Sequence, residues 1–149
     1  MRQRPGGEED GVNFEEWEAG VPPEVRKDTL WRVKAYRVAL FLSELAWEDG
    51  SVLAKDVRTA RIAGQMLRAV GSIGANIAEG YSRRSRKDQA RLYEYALGSA
   101  REARHWYLQV QPLLGADVVG HRTKILTAII QLLLAMIPNQ RDTSHTPRT

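Results

Sequence analysis

Apolar residues in this chain recur at spacings of three and four, the period of a helix with one buried side. Trp31, Ala35, Val38, Leu42 and Leu45 form one such stripe and predict a helix from about Asp28 to Trp47. Asp49-Gly50-Ser51 then reads as a turn, with Ser51 placed to cap the next helix. That second helix is expected from about Val52 to Glu79, and it carries two adjacent stripes. Ile62, Met66, Ala69 and Ile73 make one, and Ala63, Leu67, Val70 and Ile77 the other. Two stripes give a broad apolar face suited to more than one neighbour. Gly71 and Gly74 each cost about 1 kcal/mol relative to alanine inside a helix. Close approach of another helix is the expected compensation, and Gly80 suits a left-handed stop.

Ser85-Arg86-Lys87-Asp88 has the layout of a capping box. From it Leu92, Ala96, Ser99, Ala103, Trp106, Val110 and Leu113 keep a four-three alternation to about Leu114, with Pro112 bending the final turn. After Gly115 and Gly120 a fourth helix, apolar nearly all round, ends at Pro138. Ile130 and Leu134 are surplus to a face already served by Ile129 and Leu133, which points to a subunit interface and a homo-oligomer. No stretch shows sustained strand alternation. The pattern therefore predicts an all-α fold, an antiparallel up-down-up-down four-helix bundle over residues 27–138. Residues 1–26 read as an acidic, mobile N-terminal arm whose Phe14 and Trp17 are its candidates for docking. Residues 139–149 read as a disordered polar tail.

At 149 residues the chain has the length of one domain. It has no cysteine, which removes a disulfide framework, a thiolate zinc site and a cysteine nucleophile, and suits a reducing, cytoplasmic compartment. Glu8, Glu9 and Asp10 stand where a signal peptide would be apolar. The run Ile125 to Ile137 is broken by Thr127 and Gln131. It falls short of the roughly 20 residues of a membrane span, so a buried helix and no membrane partner are expected. The net charge of +4 is unevenly spread. Residues 1–24 set two arginines against seven acids, whereas Lys55 to Arg104 holds eleven basic and five acidic residues. A basic middle points to an anionic partner, nucleic acid being the commonest, against the plainer reading of a solvated helix surface.

Catalytic chemistry finds little footing. Glu102-x-x-His105 has the helical spacing of a carboxylate-bridged metal site, but such sites need two of these pairs and two further inward glutamates. Only one pair is here, so no metal and no cofactor are expected. His121 and His145 have no triad around them, and no Gly-Lys-Ser/Thr loop is present to hold a nucleotide. No residue is assigned a catalytic role, and the expectation is not an enzyme. The stronger signal is the corner after Gly80. Arg83 and Arg84 precede the third helix, Arg86 and Lys87 fill its first turn, and Arg91 lies one turn on. Four cations beside free helix N–H groups suit phosphate, unless Glu79 and Asp88 neutralise them locally. Lys55, Arg58 and Arg61 make a weaker basic stripe. Tyr81, Tyr93 and Tyr95 lie near these cations, either to stack on bases or to serve as seam residues with wetted hydroxyls. Asn76 and Glu79, among Ile73 and Ile77, read as costly buried polar groups that fix a helix end or pair with another subunit.

The blocks Ser72-Ile73-Gly74-Ala75-Asn76-Ile77-Ala78-Glu79-Gly80 and Gly98-Ser99-Ala100-Arg101-Glu102 resemble the bacterial four-helix bundle proteins called 23S rRNA-intervening-sequence proteins. The resemblance covers about residues 28–138, with Gly74 where many relatives have proline. It implies an up-down-up-down bundle assembled into a ring, typically a homopentamer. A related branch is similar to the accessory protein of diversity-generating retroelements, a basic barrel that binds nucleic acid and a reverse transcriptase. Carried onto this chain, Asn76, Glu79 and Gly80 are the first motif block, and Ser99 with Glu102 the second. By charge rather than by motif, Arg83, Arg84, Arg86, Lys87 and Arg91 are the expected contacts to RNA or other nucleic acid. The competing expectation is an oligomeric scaffold that docks a protein partner and has no nucleic-acid role.

Overall fold

The structure, a computed structural model, describes residues 13–142. All regular structure among them is helical, so the chain is all-α. Two short helices, α1 (Phe14–Ala19) and α2 (Pro23–Lys27), lead through a 3-10 turn (Thr29–Arg32) into α3 (Lys34–Ala54). The helices α4 (Ala60–Tyr81), α5 (Arg86–Gln109), the four-residue α6 (Gln111–Leu114) and α7 (Ala116–Asp142) follow. The long helices α3, α4, α5 and α7 pack in sequence, and α7 returns to α3. Gly50 of α3 faces Leu67 of α4, and Ala39 faces Gly74, so the two helices run antiparallel. Gly80 against Tyr93 and Ser72 against Ser99 show the same for α4 and α5. This packing is compatible with a four-helix bundle.

The core follows the apolar stripes, with one shift of register. On α3 the buried positions are Ala35, Ala39, Phe41, Leu42, Ala46, Asp49, Gly50 and Leu53, while Val38 and Leu45 are only half-buried. On α4 both expected stripes contribute, through Ala63, Met66, Ala69, Val70, Ile73 and Ile77, because this helix packs between α3 and α5. On α5 the seam is Leu92, Ala96 and Ala103, continued by Val110 just past its end and joined by Tyr93, Ala100 and Tyr107.

Several boundaries differ from the pattern, each for a local reason. Asp49-Gly50-Ser51 is not a turn but lies inside α3. A Cβ at position 50 would stand 2.9 Å from Leu67 Cδ1, so this glycine serves close packing. Ser51 Oγ donates to Trp47 O, one turn back. The chain reverses later, over residues 55–59. There Asp56 accepts from the backbone and guanidinium of Arg58, and Thr59 Oγ1 donates to Leu53 O at 2.6 Å. Gly80 is likewise no helix stop, since α4 continues to Tyr81 and the one positive φ among the described residues belongs to Gly115. Gly71 has nothing near its Cβ direction, so no close helix compensates it.

The arm expected at residues 1–26 holds helical structure from Phe14 onward; residues 1–12 lie outside the described residues. Asn13 caps α1 by accepting from Glu16 N. Phe14 and Trp17 pack on Phe41, and Trp17 also meets Trp31, an aromatic cluster that seats the arm on α3. An ion pair between Arg37 and Glu18, at 3.3 Å, adds to it.

The last helix begins at Ala116, runs through Gly120, and does not stop at Pro138 but continues to Asp142. Pro138 forfeits one backbone hydrogen bond, to the carbonyl of Leu134. That carbonyl belongs to a residue on the solvent side, 45% exposed, where water can take the bond. Thus residues 139–142 of the expected disordered tail lie in a helix, and 143–149 fall outside the described residues. The earlier start also lengthens the apolar segment. Ala116–Pro138, with a mean hydropathy of 1.3, is long and apolar enough to cross a membrane by length and composition. Its Leu126, Ile129, Ile130, Leu133 and Ile137 are nevertheless buried among the other helices. Ile130 is therefore not a surplus residue, and of the pair thought to need a partner only Leu134 stays exposed.

Candidate nucleic-acid interface

The corner between α4 and α5 is built by packing first and charge second. Gly80 lets α4 approach α5 so closely that a Cβ there would meet a Tyr93 ring carbon at 2.8 Å. Tyr93 is consequently buried, and that burial pushes its hydroxyl pKa upward. Further back along α4, Ser99 Oγ donates to Ser72 Oγ at 2.9 Å, and Asn76 Nδ2 donates to both Ser72 Oγ and Ser72 O. Asn76 is thus satisfied, where the sequence suggested a costly buried group. Glu79 is not buried in the core. It lies at the surface and accepts from Arg83 at 2.8 Å. Glu102 is also on the surface, accepting from Trp106 Nε1 at 3.2 Å.

Past Tyr81 the backbone turns through Ser82-Arg83-Arg84, and Gln89 Nε2 bonds Arg83 O at 3.0 Å to hold that turn against α5. Ser85 is the N-cap of α5, accepting from Asp88 N at 3.3 Å, one half of the expected capping box. The five expected contact residues, Arg83, Arg84, Arg86, Lys87 and Arg91, are all exposed around this terminus. They divide into two groups. Arg83 is paired with Glu79, and Arg91 stands 3.9 Å from Asp88 with its guanidinium 5.7 Å from the centre of the Tyr95 ring. Arg84, Arg86 and Lys87 have no ion-pair partner among the described residues. Arg86 and Lys87 sit in the first turn of α5, where the helix dipole opposes their charge. Of the three tyrosines only Tyr95 offers an open ring, at 52% exposed. The weaker stripe loses Arg58, whose guanidinium is held by Asp56 at 2.7 Å.

A second polar cluster lies in the core, and the sequence pattern did not reveal it. Arg122 donates to both oxygens of Asp49, at 2.8 and 3.2 Å, and Tyr107 Oη donates to Asp49 Oδ2 at 2.7 Å. Burial, followed by the adjacent carboxylate, pushes the Tyr107 pKa far up, so its proton stays in place as a donor. Burial works against the Arg122 charge, but hydrogen bonding and attraction from Asp49 leave its pKa raised. The three residues join α3, α5 and α7. One signal was available: the step Leu42, Ala46, Asp49, Leu53 puts Asp49 on the buried stripe. Among the described residues no group of three or more His, Cys, Asp or Glu is arranged to hold a metal ion.

The comparisons with known proteins agree with this architecture. A crystal structure of a protein of unknown function from the S23 ribosomal protein family, from Bacteroides thetaiotaomicron, is similar in fold. Its TM-score is 0.66 at 24% sequence identity, and the match covers 69% of this chain and 97% of that one. Among curated proteins none matches. The family model described as 23S rRNA-intervening sequence protein matches residues 33–114, which hold the Gly80–Tyr93 contact, the Ser72–Asn76–Ser99 network and the basic corner. On that match the chain belongs to the 23S rRNA-intervening sequence protein family.

Proposed function

We propose that this protein is a non-enzymatic, antiparallel up-down-up-down four-helix bundle that assembles into a homo-oligomeric ring and binds RNA, or nucleic acid generally, through the phosphate backbone. The cytoplasm is the compartment that suits it. The observation carrying the reading is the trio Arg84, Arg86 and Lys87: exposed, close together at a helix N-terminus, and without an ion-pair partner among the described residues. Arg83 and Arg91 stand beside carboxylates, and these three do not. Free helix N–H groups and unneutralised cations at one point favour phosphate. The Arg91–Tyr95 pair extends the patch along α5. A ring would set several such corners side by side, and multiple corners on one strand raise avidity without any new contact.

Filter binding across a salt series tests this. Log affinity should fall linearly with log salt. The triple change Arg84→Ala, Arg86→Ala, Lys87→Ala should flatten the slope by roughly 2 to 3, since each phosphate contact contributes about 0.7 to 0.9. All sequences should lose affinity about equally. No binding at low salt would favour the competing reading, an oligomeric scaffold for another protein.

A further inference from the structure

The arm leaves an open groove of about 780 Å³ against α3. Trp17, Val21, Leu40 and Trp47 give it apolar walls, and Glu16 and Glu44 line it as well. Two features set it apart from ordinary surface. Trp47 is 73% exposed, an indole left in water on a chain that buries Trp31. The charged groups lining the groove are both carboxylates, and neither has an ion-pair partner among the described residues. The nearby Glu18, by contrast, is already taken by Arg37.

We propose that this groove docks a basic, amphipathic segment of a partner protein. Its apolar residues would lie on Val21 and Leu40, and an arginine or lysine would cross the indole of Trp47 toward Glu16 and Glu44. The chemistry selects that occupant. An arginine or lysine has an apolar stem that covers indole and a cationic head that carboxylates attract. An acidic segment, or a nucleic acid, would meet the two carboxylates Glu16 and Glu44. A neutral apolar ligand would leave those carboxylates facing it unused. Exposed tryptophan is also among the residue types that most often dominate binding energy. The groove shares no residue with the α4–α5 corner, so this inference stands apart from the nucleic-acid reading.

The test is fluorescence anisotropy of a dye-labelled, helix-forming peptide of leucine and arginine added to the full chain. A control carries the same leucines with glutamate in place of arginine. The basic peptide should bind and the acidic one should not. Trp47→Ala should weaken binding about tenfold, in line with a desolvated cation–π contact. Glu16→Gln with Glu44→Gln should weaken it comparably and flatten its salt dependence, while the Arg84, Arg86, Lys87 triple variant should leave it unchanged. Each groove residue substituted is at least partly in solvent, and circular dichroism checks that the variants stay folded. Equal binding of the two peptides, or full affinity in the Trp47 variant, overturns the proposal. So does a basic peptide that fails to bind while Trp47→Ala lowers the mass seen by light scattering, for the groove would then be a contact between copies of this chain.

Discussion

A methyl group at position 80 would lie 2.8 Å from a ring carbon of Tyr93, which is itself buried and has little room to give. Gly80→Ala is therefore expected to cost about 1–3 kcal/mol by overpacking. Position 71 meets nothing within 4 Å, so Gly71→Ala should stabilise by up to about 1 kcal/mol through helix propensity. Urea denaturation of the two variants checks the opposite signs. Residues of the buried cluster carry the larger stakes. Asp49→Ala leaves the Arg122 guanidinium buried without its partner, a change expected to cost about 3–5 kcal/mol. Tyr107→Phe removes one donor from a carboxylate that Arg122 still holds, and about 1–3 kcal/mol is expected. Matched denaturation curves should rank them in that order.

At the scale of elements, the loop between α3 and α4 makes a pH-dependent statement. Arg58 hydrogen-bonds Asp56 through side chain and backbone and lowers its pKa from 3.8 to about 2. The folded value is depressed, so whatever this contact adds to stability is fully present above about pH 4 and is lost as pH falls through about 2. The pair is exposed and its contribution small. NMR titration of the Asp56 carboxyl carbon should show a midpoint near 2, moving back toward 3.8 in Arg58→Ala. The elements themselves were largely legible in the sequence. The two stripes of α4 and the Ser85 cap appear where expected, because period and cap chemistry are local properties. No turn forms at the expected Asp49-Gly50-Ser51, because that segment is packed inside α3. Leu67 and Arg122, far along the chain, decide this. Gly80 differs from the expected helix stop for the same reason, its role being set by contact with Tyr93. At the site, the positions of the five cations could be read from the sequence. Which of them Glu79 and Asp88 neutralise depends on side-chain geometry that spacing alone leaves open.

For the whole molecule, the assembly reading rests on a smaller apolar remainder than the sequence suggested. Ile130 is consumed by the chain's own core, which leaves Leu134 on α7 and, elsewhere, Trp47, Val52, Val57, Tyr95 and Leu108 as the large apolar residues in water among the described residues. If copies associate through α7, light scattering should give a mass of several chains, and Leu134→Lys should lower it while leaving the unfolding midpoint of the core nearly unchanged. A single-chain mass for the unaltered protein would remove the ring, and with it the gathering of basic corners onto one strand.

The Asp49–Arg122 contact spans 73 positions of the chain, and that separation orders events during synthesis. As the polypeptide leaves the ribosome, α3, α4 and α5 emerge with the Asp49 carboxylate lacking its cation. The inner surface that will become dry must stay open to water at that point until α7 arrives. Chains stalled before residue 122 should accordingly remain protease-sensitive around Asp49, and protection there should appear together with α7. The arrival of α7 would thus be coupled to α3 and α5 by charge as well as by apolar packing.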